Sequence, residues 1–383
     1  MKIPADSQIS QGARVGKDVA IGKNVVIKGD DITIGDNASI GDDVRLIGKI
    51  IRIGESSRLE KGAKIRSNEI IIGKETTINR NCDIFVYDRF HIGDLGFLGT
   101  ASFRGRSIVI GSEFYSSTTY ATPLTIGGGG RNDPTAYCEI GDRCTMHNNF
   151  INIAKPVKIG NDVGLSPDTL LITHGYWHSV LEGHKSTFEP ITIGDNVWIG
   201  MRAIVTPGVS IGRDCVIGAG SVVTRDVPEG CIAAGVPARV IRKAPDYPPK
   251  ITDEERNEIM KGVLAEYATL MEYKGFEVDI SESERAMTMS VSRGDLRAVF
   301  QYFQGGKDYI PVKGARRILM SFDEIDAPDA TFMNLRTSQF RGSHCPITDD
   351  LRDYLRRKGI RFYGRKFASI PPMVEEELKR LER

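Results

Sequence analysis

The chain has 383 residues, of which 40% are hydrophobic and 26% charged, and its formal net charge is +1 at pH 7. These values are typical of a globular protein of two or three domains, and the near-zero charge argues against nucleic acid as a bulk partner. No long apolar run or signal-peptide core occurs, so we expect no integral membrane segment and a cytoplasmic location. Six cysteines without C-x-x-C spacing favour reduced, mostly buried thiols, and we expect no metal site.

A repeat dominates residues 1–243. An aliphatic residue followed by glycine recurs every 19 residues at Val15-Gly16, Ile34-Gly35, Ile53-Gly54 and Ile72-Gly73, with a six-residue aliphatic period inside each step. Three short strands per turn, stacked about 4.8 Å apart, would align these side chains in one continuous core. The pattern therefore predicts a mostly β protein built on a parallel β-helix. We expect the repeated glycine to adopt a positive φ, which the Asp or Asn after it also tolerates.

The repeat is interrupted twice. Regularity fails near 85–137, where Gly127–Gly130 predict a loop that leaves the stack. The step from Ile159 to Ile193 is 34 residues long and holds three of the six histidines, so we expect a second loop over 174–190. A catalytic or binding site is expected at this second loop.

A different pattern follows the repeats. A Pro-rich linker over 244–250 leads into a predicted α+β domain of unknown role over 251–383. A helix is expected over 251–273, with Thr252 as N-cap and Glu255 at the capping-box position. The further predicted elements are a strand near 276–280, a strand over 317–322, a helix over 349–358, a strand over 360–363 and a helix over 373–381.

Several fixed sequence words occur in order in the second half of the repeat region. They are Leu171–His174, Pro190–Gly200, Ile217–Thr224, Asp226–Pro228 and Ala234–Arg242. This segment resembles the galactoside and maltose O-acetyltransferases among the hexapeptide-repeat acyltransferases. The resemblance implies a left-handed parallel β-helix, acetyl-CoA as donor substrate, and a homotrimer with active sites between neighbouring β-helices.

Acetyl transfer from a thioester to a hydroxyl requires a base, an oxyanion stabiliser and a proton for the thiolate. An imidazole can act as base and then as acid, because its unperturbed pKa lies near neutrality. By the resemblance, His174 is the catalytic histidine, with His178 as the alternative base. His178 and Trp177 are expected in the acceptor pocket, although His178 could equally be loop surface. The resemblance also implies an asparagine one coil earlier, for which Asn148 and Asn149 both qualify and Asn149 is favoured.

The resemblance also implies a donor site. Trp198 would pack beside the active-site groove, and the backbone at Ala219 and Thr224 would contact the pantetheine arm. Basic side chains would bind the nucleotide end of coenzyme A, whose phosphates favour such charge. These side chains are Arg239, Arg242 and Lys243.

The chain departs from the short sugar acetyltransferases by its extra coils and its added domain. Such surfaces suit an extended acceptor, so we expect O-acetylation of a sugar hydroxyl in surface polysaccharide or oligosaccharide biosynthesis; the extra coils could instead be scaffold. One alternative is an N-acetyltransferase that acts on an amino-sugar nucleotide. Another is a non-catalytic structural or binding β-helix.

Overall fold

The computed structural model describes residues 4–117, 122–130, 132–283, 286–303, 315–343 and 345–364. The chain divides into two compact units, Met1–Pro249 and Lys250–Arg383. The first unit consists of short strands that pair in parallel from coil to coil, and the described residues of the second combine a mixed sheet with two helices. The prediction of a mostly β protein, with a parallel β-helix followed by an α+β region, is confirmed.

Successive coils of the β-helix contribute strands to three faces, which we number 1, 2 and 3; in the last coil, an isolated bridge between Ile211 and Val227 takes the place of the face-2 strand. Face 1 comprises Gln8–Ile9, Val26–Lys28, Arg45–Ile47, Lys64–Arg66, the first halves of Asp83–Ile92 and Ala101–Ile110, Leu124–Gly127, Phe150–Asn152, Leu170–Leu171, Ile204–Val205 and Val222–Val223. Face 2 comprises Arg14–Val15, Asp31–Ile34, Ile50–Ile53, Glu69–Ile72, the second halves of the same two long strands, Tyr137–Ile140, Val157–Ile159, Ile191–Ile193 and Ser210–Ile211. Face 3 comprises Ala20–Ile21, Ser39–Ile40, Arg58–Leu59, Thr77–Ile78, Phe97–Leu98, Tyr115–Ser116, Thr145–Met146, Gly164–Leu165, Trp198–Ile199, Val216–Ile217 and Ile232–Gly235, on which Ala238–Arg242 pairs antiparallel.

The aliphatic period forms the core of this β-helix. Ile34 pairs in register with Ile53, and Ile53 with Ile72, so that one column of side chains runs up the interior. All three are at most 3% exposed. Burial of each such side chain contributes about 1.5–3 kcal/mol. One coil alone would leave these side chains in water, and stacking of the coils therefore drives the fold.

The repeated glycines are explained by close approach rather than by a positive φ, so the expectation of positive φ at these positions is wrong. A Cβ added to Gly35 would lie 2.6 Å from the backbone nitrogen of Glu55 in the next coil. The left-handed conformation falls two residues later, at Asn37, whose φ is 58°. Asn and Asp tolerate this region better than most residues. The glycine therefore lets the coils stack, and the residue at the third position turns the chain.

The interruptions are narrower than predicted. Asp83–Ile92 and Ala101–Ile110 run unbroken through the corner between faces 1 and 2, so the stack continues past residue 85. The first departures are at 117–123 and 128–136, of which 118–121 and 131 lie outside the described residues. The second interruption, between Leu171 and Ile191, leaves the stack at the same corner as 128–136. Two insertions thus project from one edge of the β-helix.

The second unit begins with helix α1, Asp253–Tyr273, whose Thr252 N-cap and Glu255 form the predicted capping box. Its sheet contains Glu277–Glu282, Ala286–Arg293, Leu296–Phe303, Arg316–Ser321, Thr331–Asn334 and Phe340–Arg341. Helix α2 spans Pro346–Arg357 and begins three residues before the predicted start. Within the described residues, neither helix is long and apolar enough to cross a membrane.

The predicted strand over 360–363 is wrong, because these residues have no regular structure. Gly359 has a φ of 79°, and the Ile360 backbone N–H donates to the Leu355 carbonyl of α2. This bond satisfies a carbonyl at the end of the helix, as in a C-cap. The segment therefore continues the helix end and does not pair with a strand among the described residues. The helix predicted over 373–381 lies outside the described residues.

Candidate active site

The segment between Leu171 and Ile191 forms a hairpin at the corner between faces 1 and 2. His174–Gly175 pairs antiparallel with Thr187–Phe188, and a 3-10 turn over Val180–Glu182 lies at the tip. Ser179 caps this turn through its side chain, which accepts from the Leu181 N–H. The hairpin therefore holds His174 at its base, where the chain leaves the rigid stack, rather than at its exposed tip.

The imidazole of His174 is fixed by an asparagine one coil earlier. Its Nδ1 lies 2.8 Å from Asn152 Oδ1. The same oxygen accepts the backbone N–H of Ala154 at 3.2 Å, and a backbone N–H can only donate. Oδ1 is therefore the acceptor, and His174 Nδ1 must carry the proton. In the neutral imidazole Nε2 then keeps its lone pair, which is the state required of a general base.

Asn152 is itself held rigidly. Its side chain is only 2% exposed, and the buried Thr173 hydroxyl lies 2.6 Å from Oδ1 and 3.2 Å from the Asn152 carbonyl. That hydroxyl also accepts the Lys155 N–H at 3.1 Å. Any side chain at Gly128, which has a φ of 90°, would overlap the Asn152 amide nitrogen. The glycine-rich insertion therefore closes over Asn152 and fixes the amide plane.

Two aromatic rings flank the imidazole. The Phe188 ring is stacked at 5.6 Å with an interplanar angle of 19°, and the Tyr176 ring lies 5.2 Å away. Tyr176 and Phe188 also stack on each other at 5.3 Å. Both rings remain partly exposed, at 58% and 42%. They restrict the imidazole and offer an apolar surface beside it on which a ligand can pack.

The two asparagines expected at the site lie at the corner between faces 3 and 1. Asn149 is 1% exposed, and its amide accepts from the His147 N–H and donates to the Ser166 carbonyl at 2.7 Å each. Asn148 bonds to Asp168 and Thr122. Both amides thus support neighbouring coils, and the structure favours Asn152 as the partner of the imidazole. Roles for Asn148 and Asn149 in catalysis stay predictions.

The expected acceptor residues are on the exposed part of the hairpin. Trp177 is 88% exposed. The ring of His178 lies 4.5 Å from that of His184, tilted by 32°. The structure therefore brings His178 together with His184 rather than with His174, whose ring contacts are Tyr176 and Phe188.

The expected donor residues lie mostly along a different edge. Trp198 is on face 3, with its indole N–H donating to Ser166 Oγ at 2.9 Å, and Ala219 is exposed at the corner between faces 3 and 1. A Cβ on Gly200 would lie 2.5 Å from the Ala219 nitrogen of the next coil. Glycine at position 200 and alanine at position 219 therefore leave the backbone at this corner uncovered by large side chains. Thr224 is instead at the corner that carries His174.

The three expected basic residues, Arg239, Arg242 and Lys243, are exposed at the end of the β-helix. Arg239 donates to the Ala238 carbonyl at 2.8 Å. Within the described residues, the structure records no carboxylate in ion-pairing distance of these cations. They are therefore available to a phosphate-bearing ligand.

Sequence reasoning missed Asn152, Tyr176 and Phe188. A signal existed for the aromatic pair, because polar and aromatic residues flank both ends of the segment that forms the hairpin. For Asn152 the signal was its place one coil before Thr173, hidden by the unequal insertions. Among the described residues, no group of three His, Cys, Asp or Glu side chains is arranged to hold a metal ion.

Parts of the chain are similar to known proteins. The family described as "Hexapeptide repeat of succinyl-transferase" matches residues 12–42 and 190–225. Galactoside O-acetyltransferase of Escherichia coli (strain K12) is 40% identical over 131 residues, which cover 32% of this chain and 64% of that enzyme. The chain therefore spans less than two thirds of the length of this relative.

Two solved structures are also similar. Galactoside acetyltransferase in complex with coenzyme A is 35% identical, with a TM-score of 0.29, over 36% of this chain and 70% of that chain. A hexapeptide-repeat acetyltransferase from Vibrio cholerae O1 biovar eltor, complexed with acetyl-coenzyme A, is 26% identical, with a TM-score of 0.23, over 37% and 70%. Two segments of the chain, 12–42 and 190–225, thus match the hexapeptide-repeat family, and the relatives that the chain matches are named acetyltransferases.

Proposed function

We propose that the chain is an acetyl-CoA-dependent O-acetyltransferase that acts on a sugar hydroxyl, with His174 as general base. The observation that carries this proposal is the bond between His174 Nδ1 and Asn152 Oδ1, which leaves Nε2 as an acceptor. The sugar acceptor is supported by the relative named galactoside O-acetyltransferase, and the donor by the solved galactoside acetyltransferase in complex with coenzyme A.

The proposed reaction has two proton transfers. His174 Nε2 takes the proton of the acceptor hydroxyl as its oxygen attacks the thioester carbonyl carbon, giving a tetrahedral oxyanion. When this intermediate collapses, the carbon–sulfur bond breaks and the imidazolium returns the proton to the coenzyme A thiolate. The products are an acetyl ester and a free thiol. Asn152 stabilises the imidazolium, because its oxygen still accepts from Nδ1 in that state.

A homotrimer is part of the proposal. Trp198 and Ala219 lie on face 3 and the corner between faces 3 and 1, whereas His174 lies at the corner between faces 1 and 2. A single coenzyme A that contacts both sets is most easily accommodated between two copies, with His174 from one and the face-3 edge from the next. The face-3 edge of one copy would then bind the donor, and the hairpin of the neighbouring copy would provide the base.

Surface polysaccharide or oligosaccharide biosynthesis is the proposed setting, supported by the long stack of coils that precedes the site. A cytoplasmic location is supported by six free cysteines, five of them buried, a usage typical of reducing compartments.

The experiment is thiol release from acetyl-CoA with a panel of neutral sugars, amino sugars and oligosaccharides, followed by mass spectrometry of the product. We expect an acetyl ester on a sugar hydroxyl, and His174→Ala should lose most turnover while calorimetry still detects donor binding. His178→Ala is the matched control and should retain turnover. Absence of donor binding and of turnover in the wild type would overturn the proposal. An acetamide product would show instead that the acceptor is the amino group of an amino sugar.

A further inference from the structure

A groove runs along the corner between faces 1 and 2 in the first five coils, on the same edge of the β-helix as His174. Its volume is about 820 Å³. We call it the N-terminal groove, and it is lined by Gln8–Ser10, Lys28–Asp30, Ile47–Lys49, Arg66–Asn68 and Phe85–Tyr87. No step proposed above uses it.

The sequence explains why a groove forms here. The corner positions of three successive coils are Gly29, Gly48 and Ser67, whose side chains are small or absent. A Cβ on Gly29 would lie 2.5 Å from the Gly48 carbonyl oxygen, so these corners are tightly stacked. The residues on either side of each corner carry larger side chains, namely Lys28 and Asp30, Ile47 and Lys49, and Arg66 and Asn68. The small corners therefore form a floor, and the flanking side chains form two walls.

The walls carry an excess of positive charge. Lys28, Lys49 and Arg66 line the groove against a single carboxylate, Asp30. The structure records no ion pair for these three cations within the parts of the chain that it describes. Two more exposed cations, Arg45 and Lys64, lie on face 1 beside Arg66. Unpaired cations in a concave surface favour an anionic ligand.

The groove also offers apolar rings and an unused polar atom. The Arg66 guanidinium lies 5.0 Å from the centroid of the Phe85 ring, and Tyr87 is 48% exposed. Ser67 is 6% exposed, and its buried Oγ has no hydrogen-bond partner among the described residues. A buried hydroxyl without a partner is costly unless a ligand or water satisfies it. Rings, hydroxyls and cations together match a sugar chain that carries carboxylates, with its apolar ring faces and polar edges.

The strand register connects the groove to the site. Lys28, Ile47, Arg66, Phe85 and Arg104 form one outward column on face 1. Phe103 pairs with Ile126, so the next position in this column is Gly127, which in turn pairs with Asn152. Six coil spacings separate Lys28 from Asn152, or about 29 Å. Gly127 and Asn152 are buried, so the column gives the spacing between the groove and the site, and a bound chain would pass over the covered part of this edge.

We propose that the N-terminal groove binds distal units of an extended, carboxylate-bearing glycan, one of whose other units is acetylated at His174. This inference rests on the proposed function for the acetylation, but not for the binding. A chain bound along this edge spans several coils, so long glycans bind and short ones do not. The extra coils are then the acceptor-binding part of the molecule.

The test compares two triple variants with the same change in charge. The groove variant combines Lys28→Gln, Lys49→Gln and Arg66→Gln. The control variant combines Lys17→Gln, Lys74→Gln and Arg58→Gln, which lie on face 3 or at the corner between faces 2 and 3. All six side chains are exposed, so both proteins should fold. Circular dichroism and light scattering verify the fold and the oligomeric mass.

Calorimetry then measures binding of galacturonate and hyaluronan oligomers of increasing length, with maltooligosaccharides as neutral probes. We expect acidic oligomers to bind the wild type and the control variant with an affinity that rises with length. The groove variant should bind at least about tenfold more weakly, because three charge-assisted contacts are lost. Neutral oligomers should bind weakly to all three proteins.

Three results would overturn the inference. They are no binding of any acidic oligomer to the wild type, equal loss in the control variant, and equal binding of neutral and acidic oligomers. A changed oligomeric mass of the groove variant would assign the groove to a contact between copies instead. His174→Ala separates the two proposals, since it should bind acidic oligomers as the wild type does while losing turnover. Wild-type binding without any turnover would contradict the acetyltransferase proposal and leave the groove in place.

Discussion

His174 Nδ1 donates a hydrogen bond of 2.8 Å to Asn152 Oδ1, an oxygen whose identity is fixed by the Ala154 N–H. Asn152 is therefore a positioning residue, because it selects the tautomer in which Nε2 is free. Asn152→Ala should lower kcat by about ten- to hundredfold, since the imidazole can then turn or adopt the other tautomer. Steady-state kinetics with acetyl-CoA and the best acceptor sugar measures this effect.

The conservative variant gives the control. Asn152→Asp keeps an oxygen that can accept from Nδ1, so its kcat should recover much of the loss seen with alanine. The KM for acetyl-CoA should stay near the wild-type value in both variants. A purely structural role would lower the yield of folded protein without separating kcat from KM, and equal kcat in Asn152→Ala and wild type would refute the assignment.

The Phe188 ring stacks on the imidazole at 5.6 Å, and such aromatic contacts contribute about 0.5–1.5 kcal/mol beyond burial. Phe188→Ala should therefore reduce kcat/KM for the acceptor by about two- to tenfold, while donor binding measured by calorimetry is retained. Leu181→Ala, at the 95% exposed tip of the same hairpin, is the matched control. An equal effect of both substitutions would mean that hairpin stability, and not the ring contact, governs activity.

Stacking of the coils predicts a steep cost for a methyl group at the repeated glycine. Gly35→Ala would place Cβ 2.6 Å from the Glu55 nitrogen and should lower the free energy of unfolding by more than about 1 kcal/mol. Gly164→Ala is the control, because its Cβ would meet Trp198 Cδ1 at an ordinary 3.6 Å. Urea unfolding followed by tryptophan fluorescence reports the β-helical unit alone, since Trp177 and Trp198 both lie within it. Equal midpoints for the two variants would contradict the close-approach explanation.

The repeat was predictable because its chemistry is local. A six-residue aliphatic period and a glycine at each corner determine which side chains point inward, whatever lies elsewhere in the chain. The reason for the glycine was not predictable, since the close approach to Glu55 comes from the next coil.

The partner of His174 depends on register across two insertions. The pair Asn148-Asn149 has the right composition one coil earlier, yet Asn152 lies in the column that continues to Ile172 and accepts from the Thr173 hydroxyl. A shift of one residue exchanges inward and outward positions, and the lengths of the segments over 128–136 and 172–190 set that shift. The strand predicted over 360–363 is absent although the composition of this segment favours a strand. The backbone there is hydrogen-bonded to the end of α2 instead.

Acid should destabilise the β-helix through His147. Burial lowers the pKa of this side chain from its usual 6.5, because it disfavours the charged form. The unfolded chain binds a proton near pH 6.5 and the folded chain does not, so the stabilising contribution is complete above that pH. It is lost as the pH falls toward the folded pKa.

His147→Gln should therefore flatten the decline in the free energy of unfolding below about pH 6.5, as measured by urea titrations at several pH values. His184, which is exposed and shows no such burial, is the control, and His184→Gln should keep the wild-type slope. The same slope in all three proteins would show that His147 does not contribute to the acid sensitivity.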